Sequence, residues 1–153
     1  RVLWLNHGYL AGDDTDSHID TLARFCAPDH ICYVRCDDPD DEHYDALAAM
    51  AEELHQFRQP DGSRYRLTPL PWPSPVLGDE GERLPATYAN FLIINGAVLL
   101  PVYDLPEDAE AIDVLTGLFP DREIIPIQCR PLVAQHGSLH CVTMQIPCGV
   151  MTL

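Results

Sequence analysis

Basic residues are scarce in this 153-residue chain: nine Lys and Arg stand against 24 Asp and Glu, for a formal net charge of −15. A field of that sign repels nucleic acid and anionic lipid and favours cationic ligands, although an acidic surface also serves solubility alone. Long hydrophobic runs are missing too. The longest, Phe91 to Leu100, is interrupted by Asn95-Gly96 and is far shorter than the roughly 20 residues a bilayer-crossing helix needs. No Gly-rich loop stands between a strand and a helix, so phosphate cradling and nucleotide binding have no support. His7, Asp13, Asp14, Asp16 and His18, or the pair Cys32 and Cys36, lack zinc-ribbon, two-His-helix or calcium-loop spacing. The expectation is a chain with no membrane, nucleic acid, nucleotide or metal among its partners.

Its length and its 46% share of hydrophobic residues suit one core of ordinary size. A core of that size needs no covalent staples, and the spacing of Cys26, Cys32, Cys36, Cys129, Cys141 and Cys148 matches no compact secreted scaffold. Reduced thiols in a cytoplasmic protein are expected. Arg1 opens directly into an apolar stretch, without an initiator Met or a charged leader. The chain therefore reads as the later part of a longer polypeptide, whose missing first part would hold any signal peptide.

Hydrophobic periodicity alternates between strand and helix. Val2–Leu5 reads as a buried strand, and His7–Asp16 as a Gly- and Asp-rich loop. Ser17 with Asp20 makes a capping-box pattern, and Ile19, Leu22, Ala23 and Cys26 follow at helical spacing up to Pro28-Asp29. Ile31–Val34 reads as a strand, Tyr44–Leu54 as the strongest helix, and Arg64–Leu70 as a strand. Pro69–Pro85 is a long Pro- and Gly-rich loop. Phe91–Ile94 and Ala97–Leu100 flank Asn95-Gly96 as a hairpin. Pro106 to Phe119 reads as a helix, Glu123–Gln128 as a strand, and Gln135–Thr143 as a loop entering a strand that carries Cys141. Ala23–Ile31 and Gly117–Ile124 look like two copies of a helix, a Pro-Asp stop and an Ile-led strand, a weak repeat. The class is α/β.

Three positions invite chemistry. Cys141 follows Gly137-Ser138, and a thiolate is a strong nucleophile near neutral pH where charge or dipoles favour ionisation. Taken alone, one cysteine among six is more often a packing residue than a nucleophile. His136 and His140 lie close by; on a regular strand His140 would point away from Cys141. His18 and Asp20 sit two apart, and by themselves they read as an exposed residue and a helix cap.

Four blocks carry a resemblance. Gly12–Phe25 resembles the His-x-Asp block of the agmatine deiminase and bacterial-type peptidylarginine deiminase family. Pro85–Phe91 with Asn95-Gly96 and Pro101 resembles its next strand pair. Phe119–Glu123 resembles a helix-to-strand junction, and His136–Thr143 the catalytic-cysteine block. The blocks come in the family's order across nearly the whole chain. The resemblance implies a pentein fold, an α/β propeller of ββαβ-type units, with only the later units in residues 1–153 as the C-terminal part of one catalytic domain. It implies that Cys141 attacks a guanidinium carbon, that His18 is the general acid and base, and that Asp20 binds guanidinium nitrogens. Agmatine is the expected substrate, with arginine or peptidyl-arginine as the alternative and no cofactor required. The family's first-half Arg-Asp-x-Gly-Pro type motif does not occur here, so the remainder of the same polypeptide is expected to complete the site and the isolated chain to be inactive. The cysteine block reads Gln-His-Gly-Ser in place of a Gly-rich run. A cysteine hydrolase of acyl bonds and a non-catalytic binding module stand as the competing readings.

Overall fold

The computed structural model describes residues 1–13, 18–147 and 149–150. The first folded unit grows from two short runs that share a turn. Strand β1 (Ala23–Ala27) and strand β2 (His30–Val34) pair antiparallel through Pro28-Asp29. Helix α1 (Tyr44–Gln56) follows, burying Leu47, Met50 and Leu54 at three- and four-residue steps. The chain returns as β3 (Arg66–Leu70), parallel to β2, so the sheet order is β1-β2-β3. As the middle strand, β2 is buried from Ile31 to Val34, as a strand covered on both faces must be.

The second unit repeats this path. β4 (Leu92–Ile94) and β5 (Ala97–Val102) form an antiparallel hairpin, α2 (Asp108–Leu118) crosses, and β6 (Glu123–Gln128) joins β5 in parallel. Of the turn pair Asn95-Gly96, only Gly96 takes a positive φ, 77°, which glycine adopts without steric cost. Pro69 and Pro126 lie in the edge strands β3 and β6, where a missing N–H leaves no ladder bond unmade. One core joins the units, with Leu47, Met50 and Leu70 from the first and Val98, Leu100 and Leu115 from the second. Among the described residues, no helix is long and apolar enough to cross a membrane.

Four sequence expectations are corrected. The stretch expected to be helical through Cys26 is a 3-10 turn, Ile19–Thr21, followed by β1. Pairing with β2 overrides a short helix-like period, and Pro28-Asp29 turns a hairpin where it was expected to stop a helix. Ser17, the other half of the expected capping box, lies outside the described residues. The weak repeat of Ala23–Ile31 with Gly117–Ile124 therefore fails, since the first is a strand pair and the second ends α2. Val2–Leu5 finds no strand partner among the described residues and forms no strand, and Val2 and Trp4 are exposed. Finally, Cys141 lies on no strand. Helix α3 (Arg130–Val133) and a 3-10 turn, His140–Val142, carry the chain there, with His136 in a left-handed conformation (φ 61°) before Gly137. The alternation that would separate His140 from Cys141 does not apply.

Candidate functional site

Asp20, Asn90 and Cys141 each sit outside the sheets, at a junction where the chain enters or leaves a unit. Asp20 lies in the turn before β1, Asn90 two residues before β4, and Cys141 beyond β6 and α3. Such junctions leave backbone groups to satisfy, and side chains do so here. Thr87 Oγ1 donates to the carbonyl of Thr21 (2.8 Å). The Tyr103 hydroxyl donates to the carbonyl of Thr87 (2.9 Å) and accepts from Ser138 Oγ (2.9 Å). Tyr103 and Ser138 are buried, and burial pushes the Tyr103 phenol up, so it keeps its proton and remains a donor. Residues next to all three junctions are thereby tied together.

Asn90 is fully buried and its amide is the hub. Its Oδ1 accepts the His140 N–H (2.8 Å). Its Nδ2 donates to Asp20 Oδ2 (3.1 Å) and to Cys141 Sγ (3.3 Å). The sulfur also lies 3.5 Å from Asn90 Oδ1. A thiol donates to that oxygen and a thiolate accepts from the amide N–H, so one side chain serves both protonation states. Asp20 Oδ2 also accepts from His140 Nδ1 at 2.6 Å, which places the His140 proton on Nδ1. The other carboxylate oxygen, Asp20 Oδ1, is buried with no hydrogen-bond partner among the described residues. A carboxylate oxygen held that way is costly unless a donor meets it.

His18 lies two residues before Asp20 and is exposed. Its carbonyl accepts from Thr21 Oγ1 (2.9 Å), which fixes the turn that aims Asp20. The loop before it is pinned from the first unit. Fully buried His43 accepts the Ala11 N–H on Nε2 (2.8 Å) and donates from Nδ1 to Asp41 (2.6 Å). Asp41 takes further hydrogen bonds from Trp72 (3.1 Å) and Arg83 (2.9 Å). Desolvation alone would raise the Asp41 pKa; the donors outweigh it and hold the carboxyl far below the usual range. Gly12 has φ 82°, and a Cβ there would lie 2.4 Å from the Arg83 carbonyl. The Gly12 carbonyl accepts from His136 Nδ1 (3.0 Å), joining this loop to the one before Cys141.

The five described thiols are free, and only Cys141 is exposed. Burial pushes Cys129 up to about 11 and also raises Cys36. Half-buried Cys26 accepts from Cys32, a contact that lowers the Cys26 pKa and, with burial, raises that of Cys32. A groove of about 760 Å³ runs between residues 1–8 and β1, with Asp20, Arg24 and His140 in its wall; Cys141 lies outside its lining. Of the residues singled out by sequence, Asp20 and Cys141 are thus linked through one amide, and His18 stands at the start of the same turn. Sequence alone assigns Asn90 no role, although it lies in the Pro85–Phe91 block of the resemblance as a lone amide between Ala89 and Phe91.

The sequence profile of the Porphyromonas-type peptidyl-arginine deiminases matches residues 1–147. An agmatine deiminase of Pseudomonas fluorescens is 32% identical over 96% of this chain and 44% of its own length. A solved chain from Porphyromonas gingivalis, provisionally named an arginine deiminase, is 65% identical, with a TM-score of 0.95 over 97% of this chain and 44% of that one. A substrate-bound C315S agmatine deiminase of Campylobacter jejuni is 43% identical, with a TM-score of 0.82 over 90% of this chain and 39% of that one. The chain spans less than half the length of these relatives and corresponds to their C-terminal part. The two ββαβ units belong to a pentein fold.

Proposed function

Since the chain belongs to the Porphyromonas-type peptidyl-arginine deiminase family, we propose that it is the C-terminal part of a single catalytic domain that hydrolyses a guanidine and releases ammonia. The observation that carries this reading is the buried Asp20 Oδ1, unpartnered among the described residues, on a carboxylate joined through Asn90 to the one exposed thiol among them. A planar cation with paired N–H donors supplies what that oxygen lacks. Held there, its carbon faces the sulfur, and its charge favours the thiolate.

In the proposed sequence, Cys141 Sγ attacks the guanidinium carbon and forms an S–C bond. His18 gives a proton to one nitrogen, the C–N bond breaks and ammonia departs, leaving an amidino-thioether on Cys141. A water molecule then loses a proton to His18 and adds to the same carbon. The S–C bond breaks, the hydroxyl proton of the adduct passes to solvent, the neutral ureido product leaves, and the thiolate is restored beside a protonated His18. No cofactor enters this sequence. The acid on the far side of the guanidinium belongs to the remainder of the polypeptide, so residues 1–153 alone are expected to be inactive.

Agmatine, converted to N-carbamoylputrescine, is the favoured substrate, in line with the names of the relatives. The family's own description supports arginine or peptidyl-arginine as the second reading. A cytoplasmic setting belongs to the same proposal and is supported by the free thiols. The test is ammonia release by the intact protein from agmatine, arginine and an arginine-containing peptide, beside Cys141→Ala, His18→Ala and Asp20→Asn. Release from one guanidine, abolished by all three substitutions, is expected. No release from any, or release that survives Cys141→Ala, overturns the reading.

A further inference from the structure

One cation stands behind the Asp20, Asn90 and Cys141 network and has no place in the scheme above. Arg24, on β1, is half-buried and lines the groove beside Asp20 and His140. Its Nη1 donates to the carbonyls of Ala89 (3.2 Å) and Phe91 (2.8 Å), the residues on either side of Asn90. Its guanidinium lies 4.8 Å from the centre of the Phe91 ring, which suits a cation over an aromatic face. Two bonds on the flanking peptides and a ring beneath leave the Asn90 backbone little freedom to turn. The direction of the Asn90 amide, and hence its N–H bonds to the thiol and to Asp20, follows from that clasp.

The charge itself has a second effect. Burial makes the Arg24 cation costly and depresses its pKa, while the nearby charge of Asp20 favours it. In a chain of net charge −15, a fixed cation at this place offsets the surrounding field where a thiolate must form.

We propose that Arg24 is a positioning residue of the site: it fixes the Asn90 amide between Asp20 and Cys141, and its charge favours the Cys141 thiolate. This deepens the deiminase reading and rests on it for turnover, whereas the effect of the charge on Cys141 is judged separately by its labelling. Among the described residues, the charged and titratable groups near Cys141 include Asp20 from the turn before β1, Arg24 from β1, and His136 and His140 from its own segment. His18 opens the turn that holds Asp20.

The experiment follows iodoacetamide labelling of Cys141 by peptide mass spectrometry between pH 5 and 10, in the intact protein and in its Arg24→Gln and Arg24→Lys variants. Ammonia release is measured in parallel. In Arg24→Gln the labelling curve is expected to move up by about one pH unit, so that labelling below the thiol pKa is roughly tenfold slower. Arg24→Lys keeps a cation but not the two-carbonyl clasp. Its curve is expected to stay within about 0.3 unit of the unsubstituted protein, while turnover falls roughly tenfold. An unmoved curve in Arg24→Gln, an equal shift in both variants, or full turnover in Arg24→Lys overturns the proposal. Should Arg24→Gln not fold, the Arg24→Lys pair of readings decides alone. If the unsubstituted protein releases no ammonia, the deiminase reading fails while the labelling curves still judge the charge.

Discussion

The two ββαβ units share a path, yet each ties itself to the site by a different device. Both place a carboxylate between the central strand and the helix: Asp41 after β2, and Asp108 at the start of α2. Asp108 works directly. It accepts the N–H groups of Tyr103 (3.1 Å) and Leu105 (3.1 Å) and the hydroxyl of Tyr88 (2.7 Å), two residues from Asn90. Asp41 works through an intermediary, His43, which in turn holds Ala11 in the loop before His18. The repeat thus supplies a scaffold twice, and the local carboxylate decides which loop of the proposed site each copy steadies. That separation lets the second unit fix the hub amide tightly while the first pins a Gly-rich loop at a distance.

If the junctions before the two units act as one site, Asn90→Leu should damage activity as severely as Asp20→Asn. A loss on the order of 10²–10³-fold in ammonia release is expected for each, because both remove fixed polar contacts at the reacting centre. A severe loss for Asp20→Asn beside a mild one for Asn90→Leu would break the equivalence.

The stability effects rank next. Asp108→Ala strips three donors of a charged acceptor and should cost roughly 3 kcal/mol in urea unfolding. Tyr88→Phe removes one of those bonds and should cost about 1–2 kcal/mol. Equal values would mean that the backbone caps at Tyr103 and Leu105 carry no weight.

Acid should distinguish the first unit. The folded-state pKa of Asp41 is depressed, so its contribution is full above the unfolded value of 3.8 and is lost as pH falls from there toward the folded value. Stability should therefore drop between about pH 4 and pH 2, and Asp41→Asn should flatten that slope. Thermal unfolding across this range reads it, and an unchanged slope would remove Asp41 from the account.

The smallest contrast lies between two glycines of positive φ. Gly96 has open space around it, so Gly96→Ala meets only the left-handed penalty of about 1 kcal/mol. Gly12→Ala adds a clash with the Arg83 carbonyl and should cost about 2 kcal/mol or more, with a drop in turnover because the same loop leads to His18.

Much of this was readable beforehand where a long period or a specific turn governs: α1, α2, the Asn95-Gly96 hairpin and β6 fall close to their expected places. The misses share a cause. Ala23–Ala27 is short and apolar at positions that fit either period, and only its pairing with β2 makes it a strand. The true repeat, one ββαβ unit after the other, leaves no matching residues for the eye, because what it conserves is pairing direction. Within the site, Cys141 and Asp20 stood out through motif resemblance. Asn90 and Arg24 did not, since an amide hub and a carbonyl clasp exist only once residues about fifty to seventy positions apart meet.

The central claim is that Cys141 faces a place made for a flat cation. Treating the intact protein with chloroacetamidine, a cationic guanidine mimic, and mapping every labelled thiol tests it most directly. The account predicts that Cys141 is labelled first, ahead of Cys26, whose lowered pKa makes it the natural rival, and far ahead of Cys129 near 11. It further predicts that Asp20→Asn removes this preference while neutral iodoacetamide still reaches Cys141. Labelling led by Cys26, or a preference for Cys141 that survives Asp20→Asn, would contradict it.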